Sequence, residues 1–348
     1  MISLPILGRN VRPSSTHAGE RAAPRAVRIS ITDRCDLACL YCRPGRNDGY
    51  FPAEARLGAD HWVSLVEGLV ARGVKRVRIT GGEPLLHPHV VEIVHAVAHL
   101  QGVEDVELTT NAARLVELAQ PLKDAGLQRI NISIDSLDEK RFATMTRGGR
   151  LHDVLAGIDA ARRAGFTELK TNTVVMGGEP DDRTSGNEGE LVAIARWAWS
   201  IGATPRFLEL MTVGEGAKLR HRVVPYPEMR ALLAPLLADD PPHRPENRGP
   251  ARYVRAADGS DRGIGFITGT SDTFCHGCDR LRATSDGTLR PCLATTDSVD
   301  VADAARAGDL SEIGRRLDEA WAMKPDGVVW KGCTEETAGD VNMRSTGG

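Results

Sequence analysis

No apolar run in these 348 residues approaches the roughly 20 needed to cross a bilayer as a helix. Residues 1–7 are briefly apolar but lack the basic flank and full apolar stretch of a secretory leader, so a cytoplasmic protein is expected. Nor is there an excess of positive charge: Lys and Arg number 44 against 47 Asp and Glu, a net charge near −3. That balance gives no field for general nucleic-acid binding, and any basic site must be local. Cysteine is scarce, seven residues in all, six of them in two short clusters. Metal binding in a reducing compartment fits that distribution better than a disulfide framework. There is no internal repeat beyond a βα rhythm.

The chain is long enough for a large α/β domain and a smaller one, and 41% apolar residues suffice for a buried core. Residues 8–24, polar and rich in Arg, Ser and Pro, read as a loose arm. Strand-like runs then appear at 27–31, 76–80, 106–109, 129–134, 169–175 and 206–210. Helix-like segments at 58–72, 88–100, 113–125, 138–145, 151–164 and 188–201 separate them. Strands alternating with helices of this length predict a parallel sheet with helical crossovers.

Within the strands, Val27, Ile29 and Ile31 oppose Arg28, Ser30 and Thr32, and Val77 and Ile79 oppose Arg76, Arg78 and Thr80. Ile130, Ile132 and Ile134 oppose Asn131, Ser133 and Asp135, while Lys170 and Asn172 share a face. With helices over the apolar face, the polar face points into a lumen. A closed eight-stranded barrel packs its lumen with branched apolar residues. A wider, incomplete barrel around a large charged ligand accounts for a polar one.

The first strand runs into Cys35-Asp-Leu-Ala-Cys39-Leu-Tyr-Cys42, a C-x3-C-x2-C loop that can wrap three thiolates round one soft metal centre. Three ligands leave a four-iron cluster with one open iron, the arrangement of catalytic rather than structural metal sites. Gly81-Gly82-Glu83-Pro84 ends the next strand. After Met211 the rhythm stops. One helix is expected over 225–238 and a Pro- and Arg-rich linker over 241–250. Then comes Phe274-Cys275-His-Gly-Cys278-Asp-Arg280-Leu-Arg282, followed by Cys292, a C-x2-C-x13-C triad. On spacing alone this second triad reads equally as a zinc ribbon, with His276 or Cys333 as fourth ligand.

The first triad and the Gly-Gly-Glu-Pro stretch together resemble the radical S-adenosylmethionine (SAM) superfamily. Adding the second triad, Arg280-Leu-Arg282 and a terminal Gly347-Gly348, the chain from about Arg28 onward is similar to the GTP 3',8-cyclase family of molybdenum cofactor biosynthesis. The resemblance implies an α/β fold, an incomplete (β/α)6 TIM-like barrel over 25–211, preceded by the arm at 1–24 and followed by a cluster- and substrate-binding domain over 212–348. It implies two [4Fe-4S] clusters, on Cys35, Cys39 and Cys42 and on Cys275, Cys278 and Cys292. SAM contacts would fall on Tyr41, Gly81, Gly82, Glu83, Ser133 and Met211. The triphosphate of GTP would be held by Arg28, Lys75 or Arg76, Arg78, Lys170, Arg206, Arg280 and Arg282, with Thr109 as a polar contact. Gly347 and Gly348 would reach into the barrel and take part in catalysis.

The implied reaction begins with one electron reaching the first cluster and reductive cleavage of SAM to methionine and a 5'-deoxyadenosyl radical. Removal of the 3' hydrogen of GTP then lets C3' attack C8 of the guanine. A reductant such as flavodoxin or ferredoxin and a downstream cyclic pyranopterin synthase are the implied partners, with no membrane or nucleic acid, and a homodimer is left open. Two departures stand out: Arg43 where the family commonly has Met, and the more polar Arg344-Ser345-Thr346 before the glycines. They keep two alternatives in view, a radical SAM peptide-modifying enzyme with auxiliary clusters and a zinc-ribbon binding module. Cys333 is assigned no role beyond that of a buried thiol.

Overall fold

Alternating polar and apolar residues build six parallel strands in the computed structural model, which describes residues 23–45, 49–245, 249–272, 274, 275, 277–325, 343 and 345–347. They are β1 (Ala26–Ser30), β2 (Arg76–Thr80), β3 (Asp105–Thr110), β4 (Arg129–Ser133), β5 (Leu169–Val175) and β6 (Thr204–Glu209). Crossovers are made by α1 (Ala59–Val70), α2 (Val90–His99), α3 (Leu115–Asp124), α4 (Glu139–Met145), α5 (Leu151–Arg163) and α6 (Leu191–Ser200). Strands pair in chain order, so Arg28 sits opposite Arg78 and Asn172 opposite Arg206.

One face of each strand packs on helices. Val27, Ile29, Val77 and Ile79 share a core with Trp62, Leu65, Val66 and Leu69, which recur at helical spacing along α1. Along β5 buried and half-buried residues alternate over its whole length, placing Lys170, Asn172 and Val174 on the lumenal side. The polar face is thus lumenal, as the alternation predicts.

The C-terminal part adds strands that no periodicity announced: β7 (Arg252–Arg255), β8 (Gly263–Ile267), β9 (Arg280–Ala283), β10 (Thr288–Arg290) and β11 (Val299–Asp300). They extend the same sheet at both edges, in the order β11-β10-β9-β1-β2-β3-β4-β5-β6-β8-β7. β9 joins β1 and β8 joins β6, both parallel. Among the described residues β11 and β7 remain the two edges, so the barrel is incomplete. These strands are short, and β8 carries two glycines. A Cβ on Gly265 would run into the side chains of Arg206 and Tyr253, so the glycine lets two polar residues close over the strand.

After α7 (Glu215–Lys218), the helix expected over 225–238 is shorter: α8 (Tyr226–Leu232) ends and a single 3-10 turn, Ala234–Leu236, follows. Pro235 explains the stop, since it supplies no N–H to an α-helical ladder. Finally α9 (Ala302–Ala307) and α10 (Leu310–Ala322) pack beside α1, where a Cβ on Gly68 would strike Ile313. No described helix is long and apolar enough to cross a membrane. Most of the arm at 1–24, His276, Cys333 and Gly348 lie outside the described residues.

Candidate active site

β1 leads directly into the first cysteine loop, and β2 holds that loop by backbone contact. Gly82 N donates to Thr32 O and Glu83 N to Arg34 O, each at 2.7 Å. A Cβ on Gly82 would be driven into the Arg34 backbone, and one on Gly81 into that of Thr32, which is why both are glycine. Gly82→Ala is therefore expected to cost about 1–3 kcal/mol through overpacking, read as a lowered Tm in thermal unfolding. The other side of the loop is fastened to the end of α4: Ala38 N donates to Thr146 O (3.1 Å) and Leu40 N to Met145 O (2.9 Å).

This framework puts Cys35, Cys39 and Cys42, all half-buried, on the wall of one cavity with Tyr41, Gly81, Gly82, Glu83, Ser133 and Met211. Burial and then Glu83 push the Cys35 thiol up; burial and then Asp135 do the same for Cys39. Thiolates there need a metal centre to carry their charge. Among the described residues no three His, Cys, Asp or Glu side chains are placed to hold a single metal ion. A cluster, by contrast, spreads its thiolates over several irons. Three cysteines on one cavity wall are what such a cluster would need, and Cys35, Cys39 and Cys42 would hold it.

Two buried carboxylates complete the wall. Glu83 accepts from Thr110 Oγ1 (2.6 Å), Asn111 N (2.7 Å) and Leu85 N (3.1 Å), yet burial raises its pKa to about 7. Asp135, raised to about 6 by burial, accepts from the Tyr41 hydroxyl (2.7 Å) and Val174 N (2.9 Å). The Tyr41 ring is thereby fixed to β5.

A second cavity opens beside the first. Thr109, Asn172, Leu208 and Met211 line both, so the two adjoin. The second is lined by Cys275, Cys278 and Cys292 and by Arg28, Arg78, Arg206, Arg280, Arg282 and Lys324, with no carboxylate among the described residues of its wall. The crowding acts on the arginines: burial, then Arg282, Arg78 and Arg280, lowers Arg28 well below the ordinary guanidinium range. Burial and then Arg280 bring Arg282 down to about 10. Lys170, on β5 but on the wall of neither cavity, is brought to about 8 by burial and then Arg206. Cations crowded in this way suit a polyanion. Burial opposes the Cys278 thiolate, but Arg280 and Lys324 outweigh it and set the thiol at about 6.

The sequence-derived residues are not all used alike. Arg76 lines an opening beside this cavity and pairs with Asp279. Lys75 lines none of these spaces, and its ammonium pairs with Glu104 in solvent. Arg280 lies over the Phe274 ring, 5.1 Å from its centroid. Two participants carried no motif. Glu107 takes Arg78 Nε (2.9 Å) and Asn131 Nδ2 (3.2 Å); burial works against its charge, but Arg78 and Lys170 keep its carboxyl well below the usual range. Lys324, just past α10, donates to Arg280 O and Pro291 O, both at 2.7 Å.

The C-terminal tail enters the same space. Arg28 donates to Gly347 O (2.8 Å), and Arg282 donates to Thr346 O (2.8 Å) and Gly347 O (2.6 Å). Gly347 has φ +68°, and a Cβ there would collide with Thr80. Met343 lines the first cavity.

The Radical SAM superfamily pattern matches residues 29–185, and that of Molybdenum Cofactor Synthesis C matches residues 203–330. The GTP 3',8-cyclase of Pelotomaculum thermopropionicum is 40% identical over 303 residues, covering 86% of this chain and 91% of that protein. The GTP 3',8-cyclase of Pseudomonas putida is 38% identical over 332 residues, covering 92% and 95%. In fold, the chain is similar to Streptococcus suis SuiB crystallised with S-adenosylmethionine, with TM-score 0.61, 15% identity, and 89% of this chain and 67% of that one covered.

Proposed function

This chain belongs to the family of GTP 3',8-cyclases, and from that premise we propose that it converts GTP to (8S)-3',8-cyclo-7,8-dihydroguanosine 5'-triphosphate, the first step of molybdenum cofactor biosynthesis. One observation carries the reading: a cysteine-lined cavity adjoins a cation-lined one along a single barrel, with Thr109, Asn172, Leu208 and Met211 common to both. A SAM-derived group and a nucleotide can therefore meet there with their remote ends held apart.

When bound, the first cluster and SAM supply the radical that removes hydrogen from the sugar. The chain's own residues position and enclose. Tyr41, Gly81, Gly82, Glu83, Ser133 and Met211 would hold SAM, and Cys35, Cys39 and Cys42 the cluster. Arg28, Arg76, Arg78, Lys170, Arg206, Arg280 and Arg282 would neutralise the triphosphate, guanidinium forks being matched to phosphate oxygens. A one-electron donor such as flavodoxin or ferredoxin would feed the first cluster, and a cyclic pyranopterin synthase would take the product. The cations on the described wall favour a nucleoside triphosphate over a peptide substrate.

The test is anaerobic incubation with GTP, SAM and a strong reductant. Equal amounts of 5'-deoxyadenosine and cyclised nucleotide are expected, and 5'-deoxyadenosine without cyclised nucleotide would sink the substrate assignment.

A second four-iron cluster on Cys275, Cys278 and Cys292 belongs to the same proposal, supported by the depressed Cys278 thiol beside Arg280 and Lys324. Changing Cys292 to Ser should lower iron from about eight to about four per chain and end GTP turnover, leaving SAM binding intact. Stoichiometric zinc with unchanged iron would instead identify a zinc site.

GTP affinity should also depend on pH. Burial and then Arg206 set Lys170 near 8, and a triphosphate held close to it would favour its charged form. Binding then takes up a proton above that value, so Kd is expected to weaken as pH rises through 8, by at most about tenfold per pH unit. Lys170→Met should bind more weakly at pH 7 and lose this dependence; calorimetry at several pH values would show a flat wild-type profile if Lys170 has no such role.

A further inference from the structure

Inside the first cysteine loop lies a buried cation with no part in the chemistry above. Arg43 directly follows Cys42 and is only 2% exposed. Its guanidinium folds back under the loop, Nη1 donating to the carbonyls of Cys35 (3.2 Å) and Leu37 (3.1 Å). Its backbone N donates to Cys39 O (3.1 Å). From the other side Arg147 Nη1 donates to the carbonyls of Arg43 (2.6 Å) and Ala38 (3.3 Å). The Tyr50 ring covers the guanidinium, with its centroid 5.4 Å from Cζ.

Burying a guanidinium is unfavourable unless its donors are used. Here Nη1 is used on the backbone carbonyls of Cys35 and Leu37, in a loop that belongs to no helix or strand, and the first of these belongs to a proposed cluster ligand. Reduction adds a negative charge to a cluster already held by three thiolates, and a fixed cation close by stabilises that added charge.

We propose that Arg43 is the positioning residue of the first cluster site. It holds the Cys35–Cys42 loop in its ligand-bearing shape before a cluster is present, and its charge favours the reduced cluster. The inference rests on the reading of this triad as a cluster site.

The test is a redox titration of the full-length, anaerobically loaded protein by electron paramagnetic resonance, following the signal that changes when SAM is added. It is paired with amide hydrogen exchange of residues 35–43 in cluster-free protein. Arg43→Met and Arg43→Gln should make reduction about tenfold less favourable, about 59 mV more negative for a one-electron couple. Both should exchange at least tenfold faster across the loop. Arg43→Lys keeps the charge but not the fork, so its midpoint should stay near wild type while exchange rises. If Arg43→Met takes up no cluster, Arg43→Lys still decides, because wild-type exchange in that variant overturns the positioning role. Unchanged midpoints in the Met and Gln variants overturn the electrostatic role. A wild-type protein without iron or a SAM-sensitive signal overturns the cluster reading itself, and this proposal with it.

Discussion

Replacing Cys39 with Ala is expected to reduce SAM cleavage to background while GTP still binds. The two halves of that expectation come from different parts of the sheet. Cys39 sits on a loop fastened by β2 on one side and the end of α4 on the other, so removing one ligand leaves the loop folded but the cluster short of a thiolate. With only three protein ligands to begin with, the site has none to spare. The cavity proposed for GTP takes its cations from β1, β2, β6 and β9 and from Lys324, so they remain in place. Cys35→Ala and Cys42→Ala should behave alike. The measurements are 5'-deoxyadenosine released under reducing conditions and GTP binding by calorimetry. A Cys→Ala variant of this triad that makes 5'-deoxyadenosine at the wild-type rate would place SAM elsewhere.

Much of the layout of this candidate site was legible in the sequence because the cysteines of its first triad are close together in the chain. The first triad spans eight residues, and the alternation of Arg28, Arg78 and Ser133 with branched apolar residues told which face was lumenal. The same alternation could have settled Lys75 against Arg76: Arg76 shares a face with Arg78, whereas Lys75 shares one with Val77 and points to Glu104. What stayed hidden depends on distant pairing. β8 and β9 are too short and too rich in Gly or Arg to show a pattern, and only their pairing with β6 and β1 makes them strands. Glu107 looked like any strand carboxylate until Arg78, Asn131 and Arg129 were found around it. Lys324 reaches Arg280 and Pro291 from 44 and 33 residues away. Asn172 was visibly on the lumenal face, but its place where the two cavities join is a property of the barrel, not of the strand.

Changing Gly347 to Val is expected to lower product formation by about a hundredfold while clusters, SAM binding and GTP binding persist. A chain end is ordinarily frayed and tolerant of substitution. This one is tied by Arg28 and Arg282 to carbonyls of Thr346 and Gly347, a contact that brings residues 319 positions apart together. Gly347 adopts φ +68°, which a β-branched residue strongly disfavours, and a Cβ would also collide with Thr80 at the end of β2. A valine must therefore push the tail out of its path. The same two arginines line the cation-rich cavity, so the backbone of Thr346 and Gly347 lies beside the proposed nucleotide site. Displacing a positioned group by about 1 Å can cost roughly a hundredfold in rate with little effect on binding. Deleting Gly347 and Gly348 together should have the same consequence, whereas Gly347→Ala should fall between, since it adds the clash without the branched side chain. Single-turnover assays of cyclised product, run beside calorimetry with GTP and with SAM, separate the outcomes. Loss of GTP binding in Gly347→Val would make the tail part of the binding site, and wild-type product formation after deletion would make it dispensable.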